Sequence, residues 1–173
     1  SGISLDLILG RGTGGDAAGD TYVSIERYQG SNLAADTMLG SAGTDEFHGF
    51  GGADVLDGRG GNDRLVGGDG DDTIFGGLGD DLLFGQADND ILHGGGGNDF
   101  IRGGLGKDIA VYASAYASYN MSIDASGNVI ITDLSGTEGT DTLAGVEAAQ
   151  FSDGWLDLAT GVFRSGQADF AML

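Results

Sequence analysis

Apolar residues recur at every ninth position through the middle of the chain. From Gly40 to Val111 the sequence divides without a gap into nonapeptides that each open with glycine, and residues 31–39 form a looser copy before them. The eighth place is apolar in every unit, and its occupants are Met38, Phe47, Leu56, Leu65, Ile74, Leu83, Leu92, Ile101 and Ala110. One side chain per unit is therefore predicted to point into a core.

Each unit predicts a six-residue turn followed by a three-residue strand. Glycines at the first, second and fourth places permit positive φ and close backbone approach in turns that stack on one another. Because each turn reverses the chain, successive strands must lie on opposite sides of the coil, and units 18 residues apart must stack in parallel. The predicted fold class is all-β: a right-handed parallel β-roll, which is a two-sheet solenoid, with β-rich N- and C-terminal caps.

The repeat divides the chain into three predicted regions. Residues 1–30 are expected to form N-terminal capping strands, residues 31–111 the parallel β-roll and residues 112–173 a C-terminal β cap. Alternating apolar residues at 128–133 and turn signals at 126–127 and 153–154 predict short strands in the last region. Its aromatic residues are interpreted as the core of the cap.

The charge balance restricts the partners. The chain has 27 Asp and Glu against 7 Lys and Arg, and its net charge is −20. Nucleic acid and anionic membranes both attract clustered Lys and Arg, so neither is expected to bind. The absence of cysteine excludes disulfides and thiolate metal sites. The apolar stretch 3–9 is short and contains Asp6, which predicts neither a Sec-type signal nor a membrane span. Cations are the expected partners.

Aspartate occupies the sixth place of every unit. The nine residues are Asp36, Asp45, Asp54, Asp63, Asp72, Asp81, Asp90, Asp99 and Asp108. Stacking at about 4.8 Å would align them in two rows of mutually repelling carboxylates, and no Lys or Arg recurs where it could separate them. A hard dication with oxygen ligands fits this arrangement, and calcium fits better than magnesium or zinc.

Two successive units, Gly67-Gly68-Asp69-Gly70-Asp71-Asp72-Thr73-Ile74-Phe75 and Gly76-Gly77-Leu78-Gly79-Asp80-Asp81-Leu82-Leu83-Phe84, show the motif most clearly. They resemble the GGxGxDxUx nonapeptide of the RTX (repeats-in-toxin) calcium-binding family. The resemblance covers residues 31–111, nearly half of the chain.

In that family each ion lies between turns n and n+2, so the resemblance implies about five to seven calcium ions in this chain. The first turn contributes the carbonyls of places two and four with its aspartate, and the second contributes those of places one and three with its aspartate. The resemblance thus implies one site from Gly68, Gly70 and Asp72 with Gly85, Ala87 and Asp90. Besides the nine aspartates, the implied ligands are Ser41, Gly43, Gly49, Phe50, Gly51, Gly52, Gly58, Arg59, Gly60, Gly61, Gly67, Gly68, Asp69, Gly70, Gly76, Gly77, Leu78, Gly79, Gly85, Gln86, Ala87, Asp88, Gly94, Gly96, Gly103 and Leu105.

The two flanks share a second motif, D-T-x-x-x-[IV]-E, at residues 20–26 and 141–147. Both copies are expected to be single strands that cap the roll. The first copy resembles the segment that leads into the roll of secreted RTX metalloproteases, where the glutamate and the residue two before it bind a peripheral calcium. This resemblance implies Ser24 and Glu26 as ligands, and Gly145 and Glu147 in the second copy.

The last five residues, 169–173, are an aspartate followed by an apolar tail. They resemble the C-terminus of type I secretion substrates. Together with the repeats, they imply a secretion signal in the C-terminal cap. The implied function is a calcium-binding module that folds on Ca²⁺ outside the cell and supports type I secretion and stability of a larger exported bacterial protein. The implied partners are calcium, the secretion machinery and a covalently linked upstream domain, at an extracellular or cell-surface location.

Two alternatives stay open at this point. An auxiliary module of a carbohydrate-active enzyme could use Arg59, Arg64 and Arg102 to bind an acidic polysaccharide, as the similar modules of alginate epimerases do. A segment of a calcium-dependent adhesin or surface-layer protein would instead self-associate. No catalytic residue and no organic cofactor is expected, because His48 and His93 fall on different predicted sheets and no nucleophile motif or phosphate-binding loop is present.

Overall fold

Two stacked sheets make up the structure, a computed structural model that describes residues 4–6, 11–13 and 27–166. The first sheet has 10 strands and the second has 8. The strands of the first sheet are β1 (Ser4–Asp6), β2 (Arg11–Thr13), β4 (Thr37–Leu39), β6 (Val55–Asp57), β8 (Thr73–Leu78), β10 (Ile91–Gly96), β12 (Ile109–Val111), β16 (Ala148–Phe151), β17 (Gly154–Asp157) and β18 (Val162–Ser165). Those of the second are β3 (Arg27–Gln29), β5 (Glu46–Gly51), β7 (Arg64–Asp69), β9 (Leu82–Ala87), β11 (Phe100–Leu105), β13 (Tyr119–Ile123), β14 (Val129–Asp133) and β15 (Thr140–Ala144). The strand order is β18-β17-β16-β12-β10-β8-β6-β4-β1-β2 in the first sheet and β13-β14-β15-β11-β9-β7-β5-β3 in the second.

The nonapeptide period sets the register between strands. In the second sheet, Phe47 lies opposite Leu65 and Leu65 opposite Leu83, so that neighbours are 18 residues apart and parallel. In the first sheet, Leu56 lies opposite Ile74 with the same offset. The predicted all-β fold with two parallel stacked sheets is confirmed.

The core lies between the two sheets and consists of the eighth-place side chains. These residues, from Met38 to Ala110, have exposed fractions of 0–1%. Each large apolar side chain that is fully buried stabilises the fold by about 1.5–3 kcal/mol. Tyr28 of β3 packs against Phe47 with ring centroids 5.7 Å apart, and it continues this row toward the N-terminus.

The central strands are longer than the predicted three residues. Strand β8 spans six residues because the first three places of the following unit also pair with the next turn, Gly77 lying opposite Gly95 and Leu78 opposite Gly96. Only the fourth to sixth places therefore form the bend. The three-residue prediction is wrong for these units, because the ladder between neighbouring turns continues into the first three places of the following unit.

The C-terminal cap extends both sheets at their ends. Strand β15 pairs in parallel with β11, and β16 pairs in parallel with β12. The intervening chain contains a short 3₁₀ helix (Tyr116–Ser118) and the antiparallel hairpin β13–β14. Tyr112 stacks on Phe151 at 5.5 Å, and Tyr116 stacks on Phe163 at 4.3 Å between ring centroids. These aromatic side chains form the core of the cap.

Candidate metal sites

The nine repeat aspartates form two buried rows, one along each edge of the roll. Their exposed fractions are 0–3% although each carries a carboxylate. The row at the turns that lead into the second sheet contains Asp45, Asp63, Asp81 and Asp99, and the opposite row contains Asp36, Asp54, Asp72, Asp90 and Asp108. Burial of unpaired carboxylates is costly, so each row needs compensating groups.

In every repeat aspartate after the first of its row, one carboxylate oxygen accepts a hydrogen bond from the backbone of the preceding turn on the same edge. The Asp54 N–H donates to Asp72 Oδ1 at 2.8 Å, and the Asp72 N–H donates to Asp90 Oδ1 at 2.9 Å. The Thr73 N–H in turn donates to the Asp54 carbonyl at 2.9 Å. The same pattern links successive aspartates throughout both rows and fixes the stacking of the turns.

The second carboxylate oxygen is different. Within the described part of the chain, Oδ2 is buried without a hydrogen-bond partner in seven of the aspartates, namely Asp54, Asp63, Asp72, Asp81, Asp90, Asp99 and Asp108. The two aspartates that begin the rows are satisfied locally, because Asp36 Oδ2 accepts the Ser31 N–H at 2.5 Å and Asp45 Oδ2 accepts the Ser41 N–H at 2.7 Å. A buried polar atom without a partner costs about 1–3 kcal/mol, and more when it is charged.

Burial shifts the titration of these groups. Desolvation raises the pKa of Asp72 to about 7 and of Asp90 to about 8, against the lowering effect of the backbone N–H groups that the carboxylates accept. Repulsion by neighbouring carboxylates contributes to both raised pKa values. The same cause raises the pKa of the other inner aspartates, to about 6 for Asp63, Asp81 and Asp108 and about 7 for Asp99. A cation beside the row would favour the charged form.

The turns expose backbone carbonyls because their glycines adopt positive φ. The φ angles of Gly70 and Gly79 are 117° and 121°. A Cβ at Gly70 would lie 2.2 Å from the Gly52 oxygen, and one at Gly79 would lie 2.1 Å from the Gly61 oxygen. In three of the later turns, residues other than glycine also take positive φ at the second or fourth place, namely Phe50, Arg59, Gln86 and Asp88. The turn conformation therefore survives these departures from the motif.

The donor set suits a hard cation. Among the described residues, no group of three or more His, Cys, Asp or Glu side chains converges on one point. An ion at these turns would therefore take two carboxylates and complete its shell with backbone carbonyls, which matches the six to eight oxygen ligands of calcium. The structure brings together the turns predicted to share a site, since Gly68 lies opposite Gln86 and Asp69 opposite Ala87. The ligand role of individual carbonyls stays a prediction.

Of the ligands predicted in the two flanking motifs, only the C-terminal pair lies within the described residues. Ser24 and Glu26 lie outside the described residues. At the other end, the Asp108 N–H donates to Glu147 Oε2 at 2.8 Å, and the Gly104 N–H donates to the Gly145 carbonyl at 3.0 Å. Gly145 and Glu147 therefore lie at the end of the row that contains Asp108, in the place of another turn.

Sequence reasoning missed two residues of the roll, the glycine that opens its first turn and an aspartate that extends one of its rows. Gly30 opens the first turn, because its N–H donates to the His48 carbonyl at 2.7 Å as Gly40 does to Asp57. That turn has one extra residue, which hid Gly30 from a strict nine-residue count. Asp141 continues the row of Asp99, whose N–H donates to Asp141 Oδ1 at 3.0 Å. The segment 136–144, G-T-E-G-T-D-T-L-A, shows the nonapeptide pattern that could have revealed it.

Two of the three candidate arginines lie in one groove on the outer face of the second sheet. The groove has a volume of about 660 Å³ and is lined by Arg64, Arg102, Phe84 and Phe100, among others. The Arg64 guanidinium lies 5.0 Å from the centre of the Phe84 ring. Arg59 lies outside this lining and donates to the Gly40 carbonyl at 2.9 Å.

Comparison with known proteins identifies the repeat. The family model for the RTX calcium-binding nonapeptide repeat (4 copies) matches residues 32–65, 48–83, 57–92 and 75–110. No curated protein matches the chain. Repeats of this family bind calcium, are non-catalytic and are typical of secreted bacterial proteins. No helix within the described ranges is long and apolar enough to cross a membrane. Residues 32–110 therefore belong to the RTX calcium-binding nonapeptide repeat family.

Proposed function

We propose that this chain is a non-catalytic calcium-binding module that folds when it binds Ca²⁺ outside the cell. The observation that carries the proposal is the set of seven buried Oδ2 atoms without a hydrogen-bond partner. In a metal-free roll these oxygens are either charged and unpaired or protonated. Both states weaken the folded form at neutral pH, so the free energy of ion binding becomes free energy of folding.

The ligands of this proposal are the repeat aspartates and turn carbonyls implied by the family resemblance, and they hold about five to seven ions. Gly145 and Glu147 fit a peripheral ligand role because Glu147 already contacts the backbone of Asp108. When bound, calcium supplies positive charge between the carboxylates. The chain's own backbone amides hold one oxygen of each carboxylate in place for it.

A calcium titration followed by far-UV circular dichroism tests the folding step. We expect a disordered spectrum in chelator and a cooperative gain of β signal with calcium. Magnesium at equal concentration should produce little change, because it prefers a smaller octahedral shell and retains its waters. A β-rich spectrum in chelator that calcium leaves unchanged would contradict the proposal.

The secretion role rests on the resemblance of residues 169–173, which lie outside the described residues, to type I secretion signals. Low calcium in the cytosol would keep the chain unfolded for export, and calcium outside would fold it onto the larger exported protein that it stabilises. Deletion of residues 169–173 should abolish export from a bacterium that expresses a type I transporter. The same deletion should leave calcium-induced folding of the purified chain unchanged. Export at the rate of the undeleted chain would refute the signal.

The arginine groove supports a second candidate, binding of an acidic polysaccharide. Arg64 and Arg102 provide positive charge beside Phe84 in a chain of net charge −20. Replacing both arginines with alanine should abolish binding of a polyuronate to the calcium-loaded chain, whereas Arg164→Ala in β18 should not. Binding of the unmodified chain should weaken with salt. Absence of any binding at low salt would exclude this candidate and leave the calcium module intact.

A further inference from the structure

The C-terminal cap rebuilds part of a roll turn on top of the last turn of the Asp99 row. In the repeats, the Asp81 N–H donates to Asp99 Oδ1 at 2.9 Å, and the Phe100 N–H donates to the Asp81 carbonyl at 2.9 Å. The cap repeats both bonds: the Asp99 N–H donates to Asp141 Oδ1 at 3.0 Å, and the Thr142 N–H donates to the Asp99 carbonyl at 2.8 Å. The repeats place these partners 18 residues apart, but 42 residues separate Asp99 from Asp141.

The resemblance extends to the two places before the aspartate. A Cβ at Gly139 would lie 2.0 Å from the Gly97 oxygen, and one at Gly97 would lie 2.1 Å from the Gly79 oxygen. The Thr140 N–H donates to Asn98 Oδ1 at 3.1 Å, as the Asn98 N–H does to Asp80 Oδ1 at 2.8 Å. Residues 139–142 therefore take the fourth to seventh places of a nonapeptide unit, although a hairpin separates them from the repeat.

This added turn changes the surroundings of Asp99. At the end of a row its carboxylate would face solvent, but it is 3% exposed and its Oδ2 has no hydrogen-bond partner in the described ranges. Asp141, which covers it, is 2% exposed. The pair Asp99 and Asp141 thus shares its backbone hydrogen bonds with the pair Asp81 and Asp99 inside the roll, although only Asp141 also lies beside the Tyr112 side chain. Asp99 therefore lies between two stacked turns with an unpartnered carboxylate oxygen, as Asp81 does inside the roll, where the proposed function places an ion on each side.

We infer that Asp99 and Asp141 hold a further calcium ion between the last repeat turn and the C-terminal cap. The inference rests on the proposed function, because it extends calcium binding to a site whose two carboxylates come from distant parts of the chain. By the assignment used for the repeats, the carbonyls of Gly95 and Gly97 join the two carboxylates. The site fastens the cap to the roll, so that ordering of the cap is linked to calcium as well as to aromatic packing.

Counting bound ions in two asparagine variants tests this site. Asparagine at position 141 keeps an oxygen acceptor for the Asp99 N–H but removes the negative charge. Equilibrium dialysis of the full chain, at a calcium concentration that saturates the unmodified protein, should give one ion fewer for Asp141→Asn and two fewer for Asp99→Asn. The matched control is Asp124→Asn, since Asp124 also accepts backbone N–H groups in the cap, from Ser126 and Asn128. It should bind the full number.

Hydrogen exchange separates loss of the site from loss of folding. In Asp141→Asn with calcium, we expect faster exchange in β14 and β15 and unchanged protection in β7 to β10. An unchanged ion count for Asp141→Asn, with a loss of only one ion for Asp99→Asn, would overturn the inference and leave the proposed function standing. If the unmodified chain binds no calcium, the proposed function fails and the inference fails with it.

Discussion

The backbone N–H of Asp72 donates to Oδ1 of Asp90 at 2.9 Å, while Oδ2 of the same carboxylate is buried without a partner in the described structure. The Asp90 carboxylate therefore joins two turns through one oxygen and destabilises their stacking through the other, which is buried without a partner. Because this relationship recurs along both edges, the turns cannot stack without collecting negative charge. A cation between the turns resolves the conflict, and the calcium chemistry of the repeat follows from the same contacts that build the fold.

An interior aspartate should matter more for calcium-induced folding than the first of its row. Asp72 lies between two proposed ions, whereas Asp36 begins its row and its Oδ2 accepts the Ser31 N–H. Asp72→Asn keeps an acceptor for the Asp54 N–H but removes the charge. We expect it to raise the calcium midpoint of folding by about tenfold or more, equivalent to ~1.4 kcal/mol. Asp36→Asn should raise it less. Equal midpoints for both variants in a circular dichroism titration would contradict the two-row scheme.

Without calcium, acid should stabilise the roll. The pKa values of Asp72, Asp90 and Asp99 are raised from the model-compound value of 3.8 to about 7 or 8 in the folded form. The folded form therefore binds more protons than the unfolded chain, and this stabilisation is complete below the unfolded pKa and lost as pH rises through the folded values. With metal-stripped protein in calcium-free buffers, we expect β signal at about pH 4.5 and its loss by about pH 8.

Asp90→Asn provides the matching control for this pH dependence. Burial raises the pKa of the Asp90 carboxyl group to about 8, and the variant has a neutral amide in its place. In chelator at neutral pH this variant should have more β signal than the unmodified chain. The same spectrum at both pH values, for both proteins, would mean that the buried carboxylates do not control the stability of the metal-free roll.

The regular part of the fold was predictable because its determinants are local and periodic. The pairs Phe47 with Leu65 and Leu56 with Ile74 follow from one apolar residue per nonapeptide. The two rows of aspartates follow from the same count. A fixed period thus specifies the strand register, the core and the edge charges together, since each is the same residue place repeated at a constant offset.

The ends of the roll were not predictable by that count. Gly30 was missed because its turn has one more residue than the others, and Asp141 because a hairpin separates it from the repeat. The positions of both residues depend on pairing between strands that are distant in the sequence. Such pairing tolerates an insertion, provided that the strands on each side of it stay in register. A periodic search cannot detect such a position, whereas the hydrogen bond from Asp99 to Asp141 shows it directly.

Gly79, at the fourth place of its turn, should be hard to replace because of the backbone that it approaches. Gly79 and Gly127 both have positive φ, so alanine at either position carries a left-handed backbone cost of roughly 1–2 kcal/mol. At Gly79 the Cβ would also lie 2.1 Å from the Gly61 oxygen, whereas at Gly127 nothing lies within 4 Å. We expect Gly79→Ala to lose about 1–3 kcal/mol more than Gly127→Ala in urea unfolding with saturating calcium. Equal losses would show that the stacked turns can move apart.

Two adjacent leucines in β9 should differ sharply in their contribution to stability. Leu83 is fully buried between the sheets, and Leu82 is 43% exposed on the outer face. In saturating calcium, Leu83→Ala should lower the free energy of unfolding by about 2–5 kcal/mol through lost burial and a cavity. Leu82→Ala should change it by only about 0.5 kcal/mol. Similar losses in urea denaturation would contradict the assignment of the eighth place as the core.

Proton release on calcium binding distinguishes coupled folding from binding to a preformed roll. In an unfolded chain the carboxylates have ordinary pKa values and are already ionised at about pH 7, so calcium-coupled folding should release few protons. In a preformed roll, Asp72, Asp90 and Asp99 are partly protonated because burial raises their pKa to about 7 or 8. Calcium would displace those protons. Calorimetric titrations in buffers with different ionisation enthalpies measure the number released. We expect a value near zero at about pH 7, whereas release of several protons would show that the roll forms before calcium binds.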